Sequence, residues 1–287
     1  MVDEPFLLLH GIQDRYNALY KDNIEVLDKA DVPIASIGGS GQTYLGNLLI
    51  EAGANYADPY IERLGADGSS TPEPAYDEYR NHLSGALQKS MQLSYLSSPF
   101  TSVRFFKTHL EPAFFVDTSV EGVWLLIRDP RDSLYSWFNF RRNFAKDPLD
   151  LLAADFTEWL QRPGPTGKNR LDDWADFYTH WETMAQNLSS VAISRFEDLK
   201  LGPVDELMFG LSRFGIEVDR DRLTAAVQKS EFDNMASHER KNGGLSSARI
   251  MRKGQPYEWK TWMTPATQKL FSEHRITDVA YTFGYAV

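Results

Sequence analysis

The sequence predicts an α/β fold in which a central parallel sheet is flanked by helices. Three observations predict it. Short apolar runs at residues 32–37, 103–106, 123–127 and 191–195 alternate with longer stretches of helical period, and strands separated by helices pair in parallel. The first run breaks at Gly38 and Gly39 and passes directly into a leucine-bearing helix. The third run, Val123-Trp124-Leu125-Leu126-Ile127, is apolar at successive positions, the pattern of a strand covered on both faces.

Along the chain, residues 11–30 are polar with helical spacing and read as a lead-in helix. The strand at 32–37 follows, and the helix from Thr43 to Ala52 places Leu45, Leu48 and Leu49 on one face. Residues 64–77 carry Gly, Ser, Pro and Asp and read as a loop, a candidate lid over a pocket. Strands at 103–106 and 123–127 precede a helix from Pro130 to about Asn143. Leu171, Trp174, Phe177, Tyr178, Trp181, Met184 and Leu188 recur at helical spacing, a core-facing stripe. The fourth strand is 191–195. Residues 237–256 are polar and aperiodic and read as a long loop, and a loop of that length in a compact domain is commonly functional. No repeat, low-complexity tract or linker interrupts the chain, so residues 1–287 read as one domain.

Composition narrows the function. The formal charge is −10, from 30 basic and 40 acidic residues, which argues against nucleic acid as a partner because phosphate neutralisation needs clustered Lys and Arg. A small anion held by a few local cations remains compatible. There is no cysteine, so disulfides, thiolate metal sites and cysteine nucleophiles are excluded; a cytoplasmic setting is favoured. Residues 1–5 lack a basic leader, and residues 6–10 are too short an apolar run for a signal core or a membrane span. No His, Asp or Glu cluster has metal-ligand spacing, so no metal is expected.

Four constellations carry chemistry. In Ser36-Ile37-Gly38-Gly39-Ser40-Gly41-Gln42-Thr43-Tyr44 a strand turns into a helix start. Backbone N–H groups there, aided by the helix dipole, suit an anion. The glycines allow close approach, while Ser40 and Thr43 add hydroxyl donors. It is not the nucleotide-kinase loop, because Ser36 and Gln42 stand where that motif needs its first glycine and its lysine. Next, Lys107-Thr108-His109 ends the second strand, at the carboxyl edge where open α/β sheets bind ligands. Histidine there can take a hydroxyl proton, and lysine can neutralise developing charge. Third, Arg128 ends the apolar strand, Pro130 suits a first helical turn, and Ser136 follows two turns later. Fourth, Arg252-Lys253-Gly254 offers two cations and an approachable backbone. Each has an ordinary alternative: a tight turn, a surface pair, a fold-stabilising arginine and a solvated charge run.

Together, and in this order, they resemble the PAPS-dependent sulfotransferases, the cytosolic type that modifies small molecules. The resemblance runs from Ile34 to Trp262. It implies a P-loop-like three-layer sandwich and a sulfotransferase domain, with PAPS as co-substrate and PAP as product. It also implies that the Gly38–Tyr44 segment binds the 5′-phosphosulfate and that Lys107 and His109 are catalytic. Arg128 and Ser136 hold the 3′-phosphate, with Arg252, Lys253 and Gly254 closing over it. Phe196, heading Phe196-Glu197-Asp198-Leu199, and Phe232, three before Met235, lie at the adenine, on which Tyr44 stacks. The sequence departs from the family at Gly38 and Gly39, which replace proline and a basic residue, at Gln42, which replaces a hydroxyl, and at Tyr44, which replaces tryptophan. Lys260, Thr264-Pro265 and Lys269 match the family's dimer motif in part, so a homodimer is one expected assembly.

The implied reaction is in-line transfer to a hydroxyl of a small molecule, with His109 as general base and Lys107 stabilising charge. Aromatic residues at 56–60, 76–79, 138–144 and Tyr257 point to a phenol or lipophilic alcohol. Six acidic residues between Asp58 and Glu78 suit a cationic acceptor, or form a solvated loop. Three alternatives stand beside this reading: a nucleotide-dependent kinase, a PAP-binding homologue without catalysis, and an enzyme using an aryl sulfate donor.

Overall fold

The structure is a computed structural model that describes residues 13–74, 80–90, 102–145, 148–164, 166–243 and 249–287. Its strands are β1 (Asp31–Ala35), β2 (Asn55–Ala57), β3 (Glu62–Leu64), β4 (Ser70–Pro72), β5 (Arg104–Thr108), β6 (Gly122–Ile127) and β7 (Ser190–Arg195). Five of them form a sheet in the order β2-β5-β1-β6-β7, and every pairing in it is parallel. The α-helices of six or more residues are α1 (Gln13–Ile24), α2 (Gln42–Ala52), α3 (Gly85–Ser90), α4 (Pro130–Asn139), α5 (Phe156–Gln161), α6 (Arg170–Ala185), α7 (Phe196–Leu201), α8 (Pro203–Ser212), α9 (Arg220–Lys229), α10 (Phe232–Asn242), α11 (Pro265–Glu273) and α12 (Ile276–Thr282). A π-helical turn, Phe140–Ala145, continues α4.

Every residue of β1, β5 and β6 is buried. Successive side chains point to opposite faces, so both faces of the sheet are covered and the three-layer expectation holds. Phe105 and Trp124 pack with Phe214 on one face, where Trp124 lies against Gly210 of α8 too closely for any larger residue there. Phe106 points the other way onto Phe115, which packs on Trp181 of α6. The stripe from Leu171 to Trp181 is core, as its spacing implied. Asn169 starts α6 by accepting from the N–H groups of Leu171 and Asp172.

The four anticipated strands all form. The sequence reading missed β2, whose three residues are too few to show a period. Residues 64–77 are not simply a loop, because β3 and β4 pair antiparallel across them. Nor do residues 64–74 cover the ligand edge. Arg104 is buried at the start of β5, pairs with Asp31 at 2.6 Å, and donates to the carbonyls of Gly65 and Ser69 at 2.8 and 2.7 Å. That ties the hairpin to the amino edge of the sheet, opposite the edge where Lys107 and His109 emerge; residues 75–77 of the expected lid lie outside the described residues. The polar stretch 237–256 begins as helix, since α10 runs to Asn242. Beyond it, Glu239 accepts from the N–H groups of Ile250 and Met251 at 2.7 and 2.9 Å, folding the later segment back onto α10. Residues 244–248 lie outside the described residues.

Candidate functional site

The turn after β1 is shaped by its glycines. Gly39 and Gly41 have φ of 83° and 96°, a left-handed conformation that costs other residues. All three glycines are also crowded. A Cβ on Gly38 would lie 2.7 Å from the Trp137 ring, one on Gly39 would overlap the Ser133 carbonyl, and one on Gly41 would overlap the Phe196 ring. Gly41 starts α2 with no side-chain cap, which leaves first-turn N–H groups for an anion. Beneath the turn, the Tyr178 hydroxyl donates to the Leu126 carbonyl at 3.0 Å and accepts from Ile37 N–H at 3.3 Å. Its one proton is thereby used, so the Ser40 hydroxyl, 3.4 Å away, is the donor to it. Tyr178, legible only as core, is a strut of the site.

Gln42 lies at the site, but its side chain turns away from it. Its amide donates to the carbonyls of Ile34 and Thr108, stitching β1 to β5. Its contribution to a ligand is therefore a backbone N–H.

Lys107 and His109, both nearly buried, emerge where β5 ends. The His109 Nδ1 lies 2.6 Å from the Ser36 carbonyl. A carbonyl can only accept, so Nδ1 carries the proton and Nε2 keeps a lone pair. Burial, then the charge of Lys107, push the imidazole down to about 3. The segment after β2 holds both residues. Asp58 pairs with Lys107 at 3.3 Å, and the Tyr60 hydroxyl accepts from His109 N–H at 2.9 Å.

Arg128 leaves β6 as Asp129 caps α4 by accepting from Arg131 N–H, with Pro130 in the first turn. Arg128 donates to the Gly39 and Gln255 carbonyls, each at 2.9 Å, and its guanidinium lies 4.6 Å from the Phe196 ring. Ser136 lies against Gly39, so Arg128 and Ser136 flank one turn of backbone. Arg252 makes a two-pronged pair with Glu258, and Lys253 joins it at 3.1 Å. Burial works against the Glu258 carboxylate, but Arg252 and Lys253 outweigh it and hold its pKa below the usual value. Asp132 in turn accepts from the N–H groups of Glu258 and Trp259 at 3.1 and 2.7 Å. These bonds strap residues 252–259 to α4. Gly254 (φ 61°) packs against the Phe232 ring.

All sixteen residues singled out in the sequence line one cavity of about 770 Å³. Sequence reasoning missed Trp137, Lys200, Arg240 and Arg249, which also line it, while Asn139 and Asn143 fall within the 138–144 wall it named. For Trp137, its place beside Ser136 was the available signal. The proposed aromatic walls contribute less than expected. Phe140 lines the cavity, whereas Tyr56 and Tyr60 are buried in the core and Tyr257 is 46% exposed outside it; residues 76–79 lie outside the described residues. Nor do the described acidic residues of the 58–78 stretch reach the cavity. Asp58 faces Lys107, Glu62 accepts from Asp58 N–H and Ser70, Glu73 pairs with Arg63, and Asp67 accepts within its own turn. Among the described residues no three His, Asp or Glu group as a metal site, and no helix is long and apolar enough to cross a membrane.

Known proteins share this architecture and sequence. Mouse sulfotransferase SULT7A1 complexed with PAP superposes over 98% of this chain and 90% of its own, with a TM-score of 0.58 and 18% identity. Retinol dehydratase in complex with androsterone and PAP superposes over 92% and 84%, also with a TM-score of 0.58 and 18% identity. In sequence, human sulfotransferase 1C2 is 25% identical over 60% of this chain and 60% of its own length. Human sulfotransferase 2A1 is 26% identical over 60% and 64%. The chain thus spans somewhat under two thirds of the length of these two human relatives. Rat sulfotransferase 1E1 aligns over 94% of this chain and 92% of its own, at 24% identity. The sequence model of the family described as Sulfotransferase domain matches residues 29–278, and the chain belongs to that family.

Proposed function

We propose that this protein transfers a sulfuryl group from PAPS to a hydroxyl of a small molecule, and that the residues lining its cavity divide the work. The observation that carries the reading is the His109 geometry. Its Nδ1–H is committed to Ser36, which makes Nε2 the unprotonated nitrogen, and the residue sits with Lys107 in the same cavity as an uncapped helix start. The residues fit an anionic nucleotide. The Nε–H groups of Arg128 and Arg252 are buried without a hydrogen-bond partner among the described residues, and buried donors of that kind call for an acceptor.

In this reading the 38–43 amides take the 5′-phosphosulfate, Arg128, Ser136, Arg252 and Lys253 take the 3′-phosphate, and Tyr44, Phe196 and Phe232 flank the adenine. His109 Nε2 accepts the acceptor's hydroxyl proton as that oxygen bonds to sulfur. The bond from sulfur to the 5′-phosphate oxygen breaks, PAP departs with the electron pair, and a sulfate ester remains. Lys107 and the loop amides meet the charge that builds on the sulfuryl and phosphate oxygens. The polyanionic donor beside Lys107 offsets that residue's effect on the imidazole, making His109 a stronger base in the complex than in the free protein.

His109→Ala is expected to keep PAP affinity, measured by calorimetry, and to lower turnover about 10²–10⁴-fold. Unchanged turnover removes His109 from the mechanism, and absence of PAP binding in the unmutated protein removes the donor assignment. The lowered pKa adds a pH signature. The neutral imidazole persists as pH falls below 6.5, so the acid limb of kcat/KM lies well below that value.

A further inference from the structure

The cavity-lining residues 250–254 are held at their amino end by one side chain. Glu239 lies on the face of α10 that also carries Phe232, Met235 and Ala236, which line the cavity. Glu239 itself is fully buried and outside the lining. One of its carboxylate oxygens accepts from Ile250 N–H at 2.7 Å and the other from Met251 N–H at 2.9 Å. His82 Nδ1, 3.1 Å from the first oxygen, is the third donor. Arg252, Lys253 and Gly254 follow directly in the chain.

A buried carboxylate costs stability unless it is well bonded, and an apolar residue would fill the position without that cost. Ile250 also packs against the core, but apolar contact is non-directional. Two bonds from successive amides to the two oxygens of one carboxylate fix both the place and the direction of the chain that leaves them.

The hold reaches the donor turn as well. Ser84, two residues after His82, donates through Oγ to Asn47 Oδ1, and Asn47 Nδ2 donates to Ser230 Oγ at 2.8 Å. Asn47 belongs to α2, the helix that starts at Gly41, and Ser230 stands two residues before α10. All five side chains, those of Asn47, His82, Ser84, Ser230 and Glu239, are buried. A chain of buried polar groups therefore links α2 to the backbone of residues 250 and 251.

We infer that Glu239 is a positioning residue for the donor. It sets residues 252–254 at a fixed distance from the donor turn before a nucleotide arrives, so that the cavity favours a nucleotide with phosphates at both its 3′ and 5′ positions over one with a 5′-phosphate alone. The identity of the nucleotide rests on the sulfuryl-transfer reading, and the hold on the segment does not.

The test is calorimetry with PAP and with AMP, which lacks the 3′-phosphate, on the unmutated protein and on Glu239→Gln. Glutamine keeps the size but turns an NH2 group towards one of the two backbone N–H groups. PAP affinity is expected to fall at least tenfold, the order of one lost hydrogen bond to a charged group, with AMP affinity within threefold of the unmutated value. Equal losses for the two nucleotides, or no loss for PAP, overturn the inference. Should Glu239→Gln fail to fold, His82→Leu, which removes one donor and leaves the carboxylate, takes its place, and an unaltered ratio of PAP to AMP affinity overturns the inference. Amide hydrogen exchange of the ligand-free, unmutated protein is the second readout. Ile250 and Met251 are expected to exchange at least 100-fold more slowly than unprotected amides, and unprotected exchange at both shows that the segment is not held. Should PAP itself fail to bind the unmutated protein, the sulfuryl-transfer reading falls, and the exchange rates alone decide whether Glu239 holds the segment.

Discussion

Gly39 stands where relatives of this type carry a basic residue, and the local geometry explains why none is present. Its φ of 83° disfavours any side chain, and the Ser133 carbonyl occupies the space a Cβ needs. The left-handed conformation alone costs an L-residue about 1–2 kcal/mol, and the overlap adds to that. Gly39→Ala is therefore expected to destabilise the protein by at least that amount in denaturant unfolding. Gly39→Lys is expected to lose PAP affinity and gain no turnover. An unperturbed unfolding midpoint in Gly39→Ala would mean the turn has a second conformation available. Gln42 teaches the same lesson from the other side. Its position at the helix start was legible, but the direction of its side chain depends on carbonyls of two strands, Ile34 and Thr108, that only the folded sheet brings together.

Among elements, the connection from β2 to β3 does the positioning. It carries Asp58 to Lys107 and Tyr60 to the backbone of His109. Motifs at strand ends could be read in sequence because residue type and spacing are local properties. This connection could not, since it requires knowing that a three-residue strand pairs with β5. Asp58, and Glu62 just after it, looked like part of a solvated or substrate-facing run and are internal partners instead. Asp58→Asn is expected to lower kcat about tenfold, the order of one weakened hydrogen bond to a charged group, while leaving the donor KM and the thermal midpoint close to unmutated values, with partial recovery in Asp58→Glu. A matching drop in thermal midpoint and donor affinity would show that Asp58 supports the fold and not Lys107.

At the scale of the whole molecule, the parallel sheet and its double covering followed from alternation and from strands apolar at every position, whereas the strand order and the hairpin at the amino edge depended on long-range contacts such as those of Arg104. That hairpin also sets a pH response. Burial, opposed in part by the N–H of Asp58, pushes the Glu62 carboxyl up to about 8. Between about 4.5 and 8 the unfolded chain releases this proton and the folded one keeps it, so Glu62 draws stability down as pH rises through that window. Glu62→Gln is expected to flatten this decline when denaturant unfolding is compared at pH 5 and pH 8. A slope identical to that of the unmutated protein would place the ionisation elsewhere.

The contact between Trp137 and Gly38 has an optical consequence. An indole pressed against the backbone proposed to receive a phosphosulfate is a built-in fluorophore at the proposed donor site. A second, Trp259, lies under the Arg131 guanidinium in the strap. Binding of PAP is expected to alter the intrinsic emission without any added label, and Trp137→Phe to remove most of the change, so that occupancy of the cradle can be followed in real time from the protein's own light.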